Sequence, residues 1–357
     1  MASLPDPIPE GRRTFLRLGR AGGNTKSASR AVRRPVEAFF EVQESSLSAP
    51  APTRTADRPA RDPDLPSGAD AEAAPCDVLA PARQSVPVVF ASPHSGQNYP
   101  AAFVAASRLD PVALRRSEDA FVDELYAAAP EYGAPLLRAH FPRAYVDPNR
   151  EAYELDPAMF DESLPDFVNT TSPRIEAGLG TIAKVVTNGE EIYRDKLSLG
   201  EALQRIETFY RPYHRALAQL IEETRARFGA VLLIDCHSMP SIGGPMDVDR
   251  GLNRVDVVLG DRHGAACAPE ISDGVAETCE ALGLRVMRNQ PYAGGFTTVH
   301  YGRPESGVHV LQIEVNRALY MDEVLIRRND GFADLASRLT RLIDAVATLA
   351  PRVLLKS

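Results

Sequence analysis

The chain of 357 residues has no tryptophan and only four cysteines, Cys76, Cys236, Cys267 and Cys279, none of them in a CxxC pair. A disulfide framework is not expected in so long a chain, and a reducing cytoplasm is the default setting. No run of eighteen apolar residues occurs, so no membrane-spanning helix is expected. An excess of positive charge is also missing. The formal balance is -8, which argues against nucleic acid as a partner. A short zinc signature such as HExxH is absent. Arg12-Arg13-Thr14-Phe15-Leu16 looks like the start of a twin-arginine export signal, but residues 22–27 are polar where an apolar region would have to follow.

What is present suits a globular protein with a sizeable core: 44% of the residues are hydrophobic and 25% charged. Residues 1–80 are rich in Pro, Ala, Arg and Asp, and offer too little apolar surface to offset the entropy of ordering them. They read as a largely disordered extension, apart from a short element near residues 36–42. An ordered domain then fills residues 81–357. Short apolar runs at 86–91, 135–139, 144–146, 230–234, 255–259, 284–287 and 308–315 read as strands. Helical spacing marks residues 111–129, 199–228 (with a kink at Pro212), 273–282 and 322–349. Alternation of strands and helices at crossover lengths predicts an α/β fold, a mostly parallel sheet with helices on both faces. A ligand is then expected outside the carboxyl ends of the strands.

Three of the strongest strands end in reactive residues: Ser92-Pro93-His94-Ser95-Gly96, then Asp235-Cys236-His237-Ser238, then Gln312-Ile313-Glu314-Val315-Asn316-Arg317. Two histidines and a carboxylate are the usual catalytic zinc set, with one position left for water. The helix at 111–129 offers Glu118, Asp119 and Asp123, and helical spacing places Asp119 and Asp123 on one face. Asp119 is the choice for the metal together with His94 and His237, although spacing alone does not prefer it over Glu118. Asp235, two residues before His237, faces the same side of the strand and is placed to orient its ring. Glu314 is left as the general base. Cys236 points to the opposite face, which argues against it as a nucleophile.

Arg143 and Arg150 flank a short strand reading, and Arg317 follows the third strong strand; arginine grips carboxylates with a planar fork. These three predict a substrate carrying two carboxylates. Gly294 and Gly295 allow close approach of a ligand to backbone, and His300 is a candidate to contact substrate or stabilise an oxyanion. His214 reads as a packing residue within a helix, His140 and His309 as core or strand-edge residues, and His263 as a loop residue near the crevice.

At these residues the chain resembles the N-formylglutamate amidohydrolase family. The matching stretches include SPHSG at 92–96, EDAFVDELY at 118–126, RAYVDPNR at 143–150, LLIDCHS at 232–238, GDRHG at 260–264, NQPYAGGFTTVHYGRP at 289–304 and LQIEVNRALYMDE at 311–323. The resemblance implies a phosphorylase/hydrolase-like fold akin to the zinc exopeptidases, and one divalent metal ion, usually zinc, on His94, Asp119 and His237. It implies Glu314 as the catalytic carboxylate and Asn149, within the third stretch, among the residues around the substrate. The implied reaction splits N-formyl-L-glutamate into formate and L-glutamate, the last step of one route of histidine degradation. Departures from the family pattern at Ala120, Phe121 and Pro148 leave the substrate less firmly implied than the reaction. The competing readings are a zinc carboxypeptidase or another N-acyl amino-acid hydrolase and, from another class, a ligand-binding protein without catalysis. Oligomeric state is not legible.

Overall fold

Valine, leucine and isoleucine follow one another in the longest apolar runs, and such runs are buried on both faces when they sit inside a helix-covered sheet. The computed structural model describes residues 74–245 and 247–355. Seven strands form one sheet: β1 (Cys76–Leu79), β2 (Val88–Ser92), β3 (Leu136–Ala139), β4 (Val231–Met239), β5 (Val257–Gly260), β6 (Val286–Arg288) and β7 (Val308–Asn316), in the order β1-β3-β2-β4-β7-β5-β6. Strands β3, β2, β4 and β7 run parallel. Strand β1 is antiparallel to β3, and β5 is antiparallel to β7 and parallel to β6. The sheet is thus mixed α/β and mostly parallel, with the strand expected at 255–259 reversed in direction. Every residue of β4 and β7 is buried.

Alternation along the strands divides the apolar side chains between two cores. Val88, Phe90, Leu232, Ile234, Leu311 and Ile313 enter one. They meet the helices α4 (Pro269–Ala281) and α6 (Phe332–Leu354), the latter presenting Leu335, Leu339, Leu342, Val346 and Ala350 at helical spacing. Val89, Ala91, Leu233 and Val310 enter the other, against Tyr213, Leu217 and Ile221 of α3 (Arg211–Phe228). Helix α3 continues from α2 (Leu199–Arg205), whose first turn is capped by Ser198 accepting from the Glu201 backbone N–H at 3.1 Å. A π turn, Ile206–Tyr210, joins them just before Pro212. The widened turn takes up the break in the hydrogen-bond ladder that a proline causes.

The structure corrects four sequence expectations. The helix expected at 111–129 breaks into Pro111–Leu114, a 3-10 turn Arg115–Ser117, an extended Glu118, and α1 (Val122–Leu125), which follows a left-handed Phe121 (φ 67°). Residues 144–146 are a buried turn, not a strand. The final helix begins at Phe332 instead of 322, because Asp322 accepts from the backbone N–H groups of Val324 and Leu325 and turns the chain into a small hairpin, Met321–Asp322 with Arg327–Arg328. Residues 76–79 form an edge strand, so ordered structure starts ahead of residue 81. The short element near 36–42 and Arg12-Arg13 lie outside the described residues. No described helix is long and apolar enough to cross a membrane.

Candidate metal centre and its cavity

The apolar row that Val231 and Leu233 begin on β4 ends in Asp235 and His237, and the row of Val308 and Val310 on β7 ends in Gln312 and Glu314. Register pairs Asp235 with Gln312 and His237 with Glu314. His94 comes from the turn after β2. The turn is tight: a Cβ on Gly96 would lie 2.2 Å from the Phe141 carbonyl oxygen. The Asp119 backbone N–H donates to the His94 carbonyl at 3.1 Å. This bond, with the left-handed Phe121 that follows, turns Asp119 toward the strand ends. Glu118 instead is held by Arg115 and accepts from the Tyr99 hydroxyl at 2.6 Å. Asp123 faces Arg138 at 3.8 Å. The broken helix therefore separates Asp119 from Asp123, against the expectation of a shared face.

His94, Asp119 and His237 meet in a triangle. His94 Nδ1 lies 3.3 Å and His237 Nδ1 3.0 Å from Asp119 Oδ2, and the two Nδ1 atoms are 3.1 Å apart. All three residues are at most 2% exposed. A divalent ion reaching such donors at about 2.0–2.2 Å in a tetrahedral array would space them about 3.3–3.6 Å apart. The triangle is close to that size, its donors are the nitrogen and oxygen types that zinc accepts, and its members form a cluster able to hold a metal ion. The residues fit the group.

The outward atoms of His94 and Asp119 are partnered, which holds both with their inner donor atoms toward the centre of the triangle. His94 Nε2 is 2.8 Å from Asp147 Oδ1. Asp119 Oδ1 accepts from Arg317 Nη2 at 2.9 Å. His237 Nε2 lies 3.2 Å from Asn149 Nδ2 and 3.0 Å from Asp235 Oδ2. The Asp235 contact is close but off the direction a hydrogen bond needs, and both Asp235 oxygens lack a hydrogen-bond partner. Burial works to raise the Asp119 pKa, yet hydrogen bonds from His237 and His94 and the charge of Arg317 hold it well below the usual carboxylate range. Glu314 behaves differently: burial, aided by the charge of Asp119 and opposed by His237, pushes its pKa up to about 7. Its Oε1 accepts from Gln312 Nε2 at 2.8 Å, and Gln312 Oε1 accepts from the Gly295 backbone N–H at 2.7 Å.

These groups open onto a cavity of about 640 Å³. Arg143, Asn149, Arg150, Gly294, Gly295, Glu314 and Arg317 all line it, as do His94 and His237. Their donors are spent unequally. Arg317 gives its guanidinium to Ser238 Oγ, the Arg116 carbonyl and Asp119. Arg150 donates to the Leu179 and Asn149 carbonyls, and Arg143 to Asp147 at 2.7 Å. Asn149 Oδ1 accepts from the Thr297 backbone N–H at 2.8 Å, at the start of α5 (Phe296–Tyr301), and a Cβ on Gly295 would lie 2.4 Å from Asn149 Nδ2. His300 is exposed on α5 and stacks on Phe296, with ring centroids 4.8 Å apart; it is not part of the cavity wall. His263 is exposed as well; its neighbour Arg262 is also exposed and lines the cavity. His214 is buried, and His309 accepts from the Ala268 backbone N–H at 3.1 Å. His140 lies 3.3 Å from Asp77 at the sheet edge. Cys236 packs in the core of the opposite face. Sequence reasoning missed Asp147, Gln312, Arg174 and Arg262; for Asp147 the signal was its place two residues before Asn149 in the same turn.

An α/β sheet that gathers two imidazoles, a carboxylate and a proton-accepting glutamate beside an open cavity defines a hydrolase. Comparison with known proteins narrows the class. The family model for N-formylglutamate amidohydrolase matches residues 86–321. An N-formylglutamate deformylase of Pseudomonas aeruginosa is 31% identical over 250 residues, covering 69% of this chain and 86% of that protein. One from Pseudomonas putida is 29% identical over 241 residues, 67% of this chain and 83% of its own length. The crystal structure of an N-formylglutamate amidohydrolase from Ralstonia eutropha JMP134 superposes with a TM-score of 0.71 at 38% identity, covering 78% of this chain and 99% of that one. The chain belongs to the N-formylglutamate amidohydrolase family, and it is a hydrolase of carbon–nitrogen amide bonds other than peptide bonds.

Proposed function

We infer that this hydrolase cleaves the formyl group from N-formyl-L-glutamate with water, yielding formate and L-glutamate, and that a zinc ion on His94, Asp119 and His237 takes part. The observation that carries the reading is Glu314 facing His237 across the β4–β7 register, with a pKa raised to about 7, at the wall of an arginine-lined cavity. When bound, the ion supplies Lewis acidity toward the formyl oxygen and a water acidic enough to ionise near neutral pH. Glu314 accepts the proton of the attacking water and returns it to the departing amine nitrogen. Gln312 holds Glu314 Oε1 and keeps the other oxygen free for that exchange. Asp147 accepts from the His94 Nε2–H and fixes that imidazole, Asp235 lies 3.0 Å from His237 Nε2 as the nearby acceptor for the other, and Arg317 keeps Asp119 ionised. The phosphorylase/hydrolase-like scaffold and a reducing, cytoplasmic setting belong to the same reading, which the four free cysteines suit.

A cavity of about 640 Å³ is larger than so small a substrate fills. That favours, as a second reading, a related N-acyl acidic amino acid with a bulkier acyl group. A hydrolysis screen of N-formyl, N-acetyl and longer N-acyl amino acids, with and without a chelator, separates the two. Rapid turnover of N-formyl-L-glutamate that a chelator abolishes and zinc restores is the expected result. Full activity after exhaustive chelation removes the metal from the reading, and preference for a longer acyl group replaces the substrate.

A further inference from the structure

Five arginines line the cavity: Arg143, Arg150, Arg174, Arg262 and Arg317. Three of them are engaged by the protein to different degrees: Arg317 donates through Nε, Nη1 and Nη2, Arg150 through Nε and Nη1, and Arg143 through Nη2 to Asp147. The side chains of Arg174 and Arg262 have no hydrogen bond and no ion pair among the described residues. The acidic wall residues cannot serve them. Asp147 is held by Arg143 and His94, Asp247 by Arg254 at 2.6 Å, and Glu314 by Gln312. The wall thus carries two guanidinium groups without a counter-anion. Resting on the reading above, we propose that Arg174 and Arg262 are the residues that bind the two carboxylates of the acyl amino acid, and that they set the preference for a dicarboxylic substrate.

The backbone around each is built to hold it in place. Arg262, His263 and Gly264 are consecutive residues in the left-handed region, at φ 56°, 57° and 83°. Non-glycine side chains adopt that region at a cost, and such positions persist where surrounding structure over-determines them. Here Asn289 Oδ1 accepts from the Asp261 and His263 backbone N–H groups, Asp261 Oδ1 accepts from the Gly264 N–H at 3.0 Å, and the Arg262 N–H donates to the Ala293 carbonyl at 2.8 Å. The last bond ties Arg262 to the glycine loop of the cavity wall. Arg174 sits in the short helix Pro173–Glu176; its carbonyl accepts from the Leu179 N–H at 2.8 Å, and the Leu179 carbonyl in turn accepts from Arg150. Arg174 is close enough to Arg150 for the two charges to repel: the Arg150 pKa is pushed down to about 10, first by burial and then by Arg174 and Arg143, against the pull of Asp147. An incoming carboxylate relieves that repulsion, and arginine meets it with a two-pronged, charge-assisted contact.

The test uses Arg174→Gln and Arg262→Gln in the full-length, zinc-loaded enzyme, with N-formyl-L-glutamate and its neutral side-chain amide, N-formyl-L-glutamine, as paired substrates. Each variant is expected to raise KM for N-formyl-L-glutamate by roughly 10–100-fold, the range for a lost hydrogen bond to a charged group, with kcat changed far less. The variant that has lost the contact to the side-chain carboxylate also loses the preference for N-formyl-L-glutamate over the amide. The corresponding lysine variants recover part of the affinity, because charge without the fork retains part of the contact. If both glutamine variants keep the wild-type KM and substrate preference, the proposal is wrong. If the wild-type enzyme does not turn over N-formyl-L-glutamate, the functional reading fails first, a separate outcome visible before any variant is made.

Discussion

The two faces of β4 and β7 are built from the same strands and differ completely in chemistry. On one face Leu232, Ile234 and Cys236, with Leu311, Ile313 and Val315, continue unbroken into an apolar core. On the other, Val231, Leu233 and Val310 give way to Asp235, His237, Gln312 and Glu314. An unpartnered polar group or charge in such a place costs several kcal/mol. The polar face avoids most of that cost by giving nearly every atom a partner: Asp147 for His94, Arg317 for Asp119, Gln312 for Glu314. The apolar face needs no such partners and supplies rigidity instead. Adjacent residues such as Cys236 and His237 should therefore respond to mutation in opposite ways, one in stability and one in chemistry.

The sharpest form of that contrast is His237→Ala. It should abolish both zinc content and turnover while leaving the fold intact; stoichiometric zinc in the purified variant would exclude His237 as a ligand. Glu314→Gln is the companion measurement. It should retain zinc and lose activity by at least ~10²-fold, the usual scale of a general base. Near-wild-type turnover would move the proton transfer to another group.

The strands that carry the site were legible in the sequence because short apolar runs bounded by polar residues mark buried strands, and the polar residues that follow each run mark its carboxyl end. His94, His237 and Glu314 stand at such ends. Strand direction was not legible: the apolar pattern at 255–259 reads the same whichever way the strand runs, and only pairing with β7 reverses it. The carboxylate of the triangle was not decided either. Helical spacing groups Asp119 with Asp123, and the left-handed Phe121 that parts them leaves no mark on apolar periodicity. Arginine roles failed to show for another reason. Residue type reveals a guanidinium, but not whether Ser238, Asp119 or a carbonyl has already taken its donors, as at Arg317.

A pH measurement extends the comparison of faces at smaller amplitude. His214 of α3 supports the polar face from behind: its Nε2 lies 2.8 Å from the Pro148 carbonyl, inside the turn that carries Asp147 and Asn149, and its Nδ1 2.9 Å from the Tyr301 hydroxyl. Burial lowers its pKa from 6.5 to about 3. A histidine whose folded pKa is depressed is held neutral by the fold. Its contribution is complete above pH 6.5 and is lost as pH falls from there toward 3. The slope is about 1.4 kcal/mol per pH unit, so the loss between pH 6.5 and pH 5 is about 2 kcal/mol. Urea unfolding of metal-free protein at pH 7 and pH 5 should show that loss in the wild type and a correspondingly smaller one in His214→Gln. Identical pH dependence in the two would mean that His214 protonates in the folded state at little cost.

Cys236→Ala is the smallest expected effect and tests the silent face. Cys236 is fully buried, its Sγ is 3.6 Å from the Ile234 carbonyl, and burial and the charge of Asp235 push its thiol pKa well up. Such a thiol is a packing group rather than a nucleophile. Removing one buried heavy atom should cost about 1 kcal/mol of stability, read as a shift in the urea midpoint, with kcat/KM for N-formyl-L-glutamate unchanged. The substitution sits one residue from His237, so a backbone displaced at 236 would reach the triangle at once. A large fall in kcat/KM with zinc still bound would therefore show that packing on the apolar face sets the geometry of the polar one, and that the two faces of β4 do not act independently.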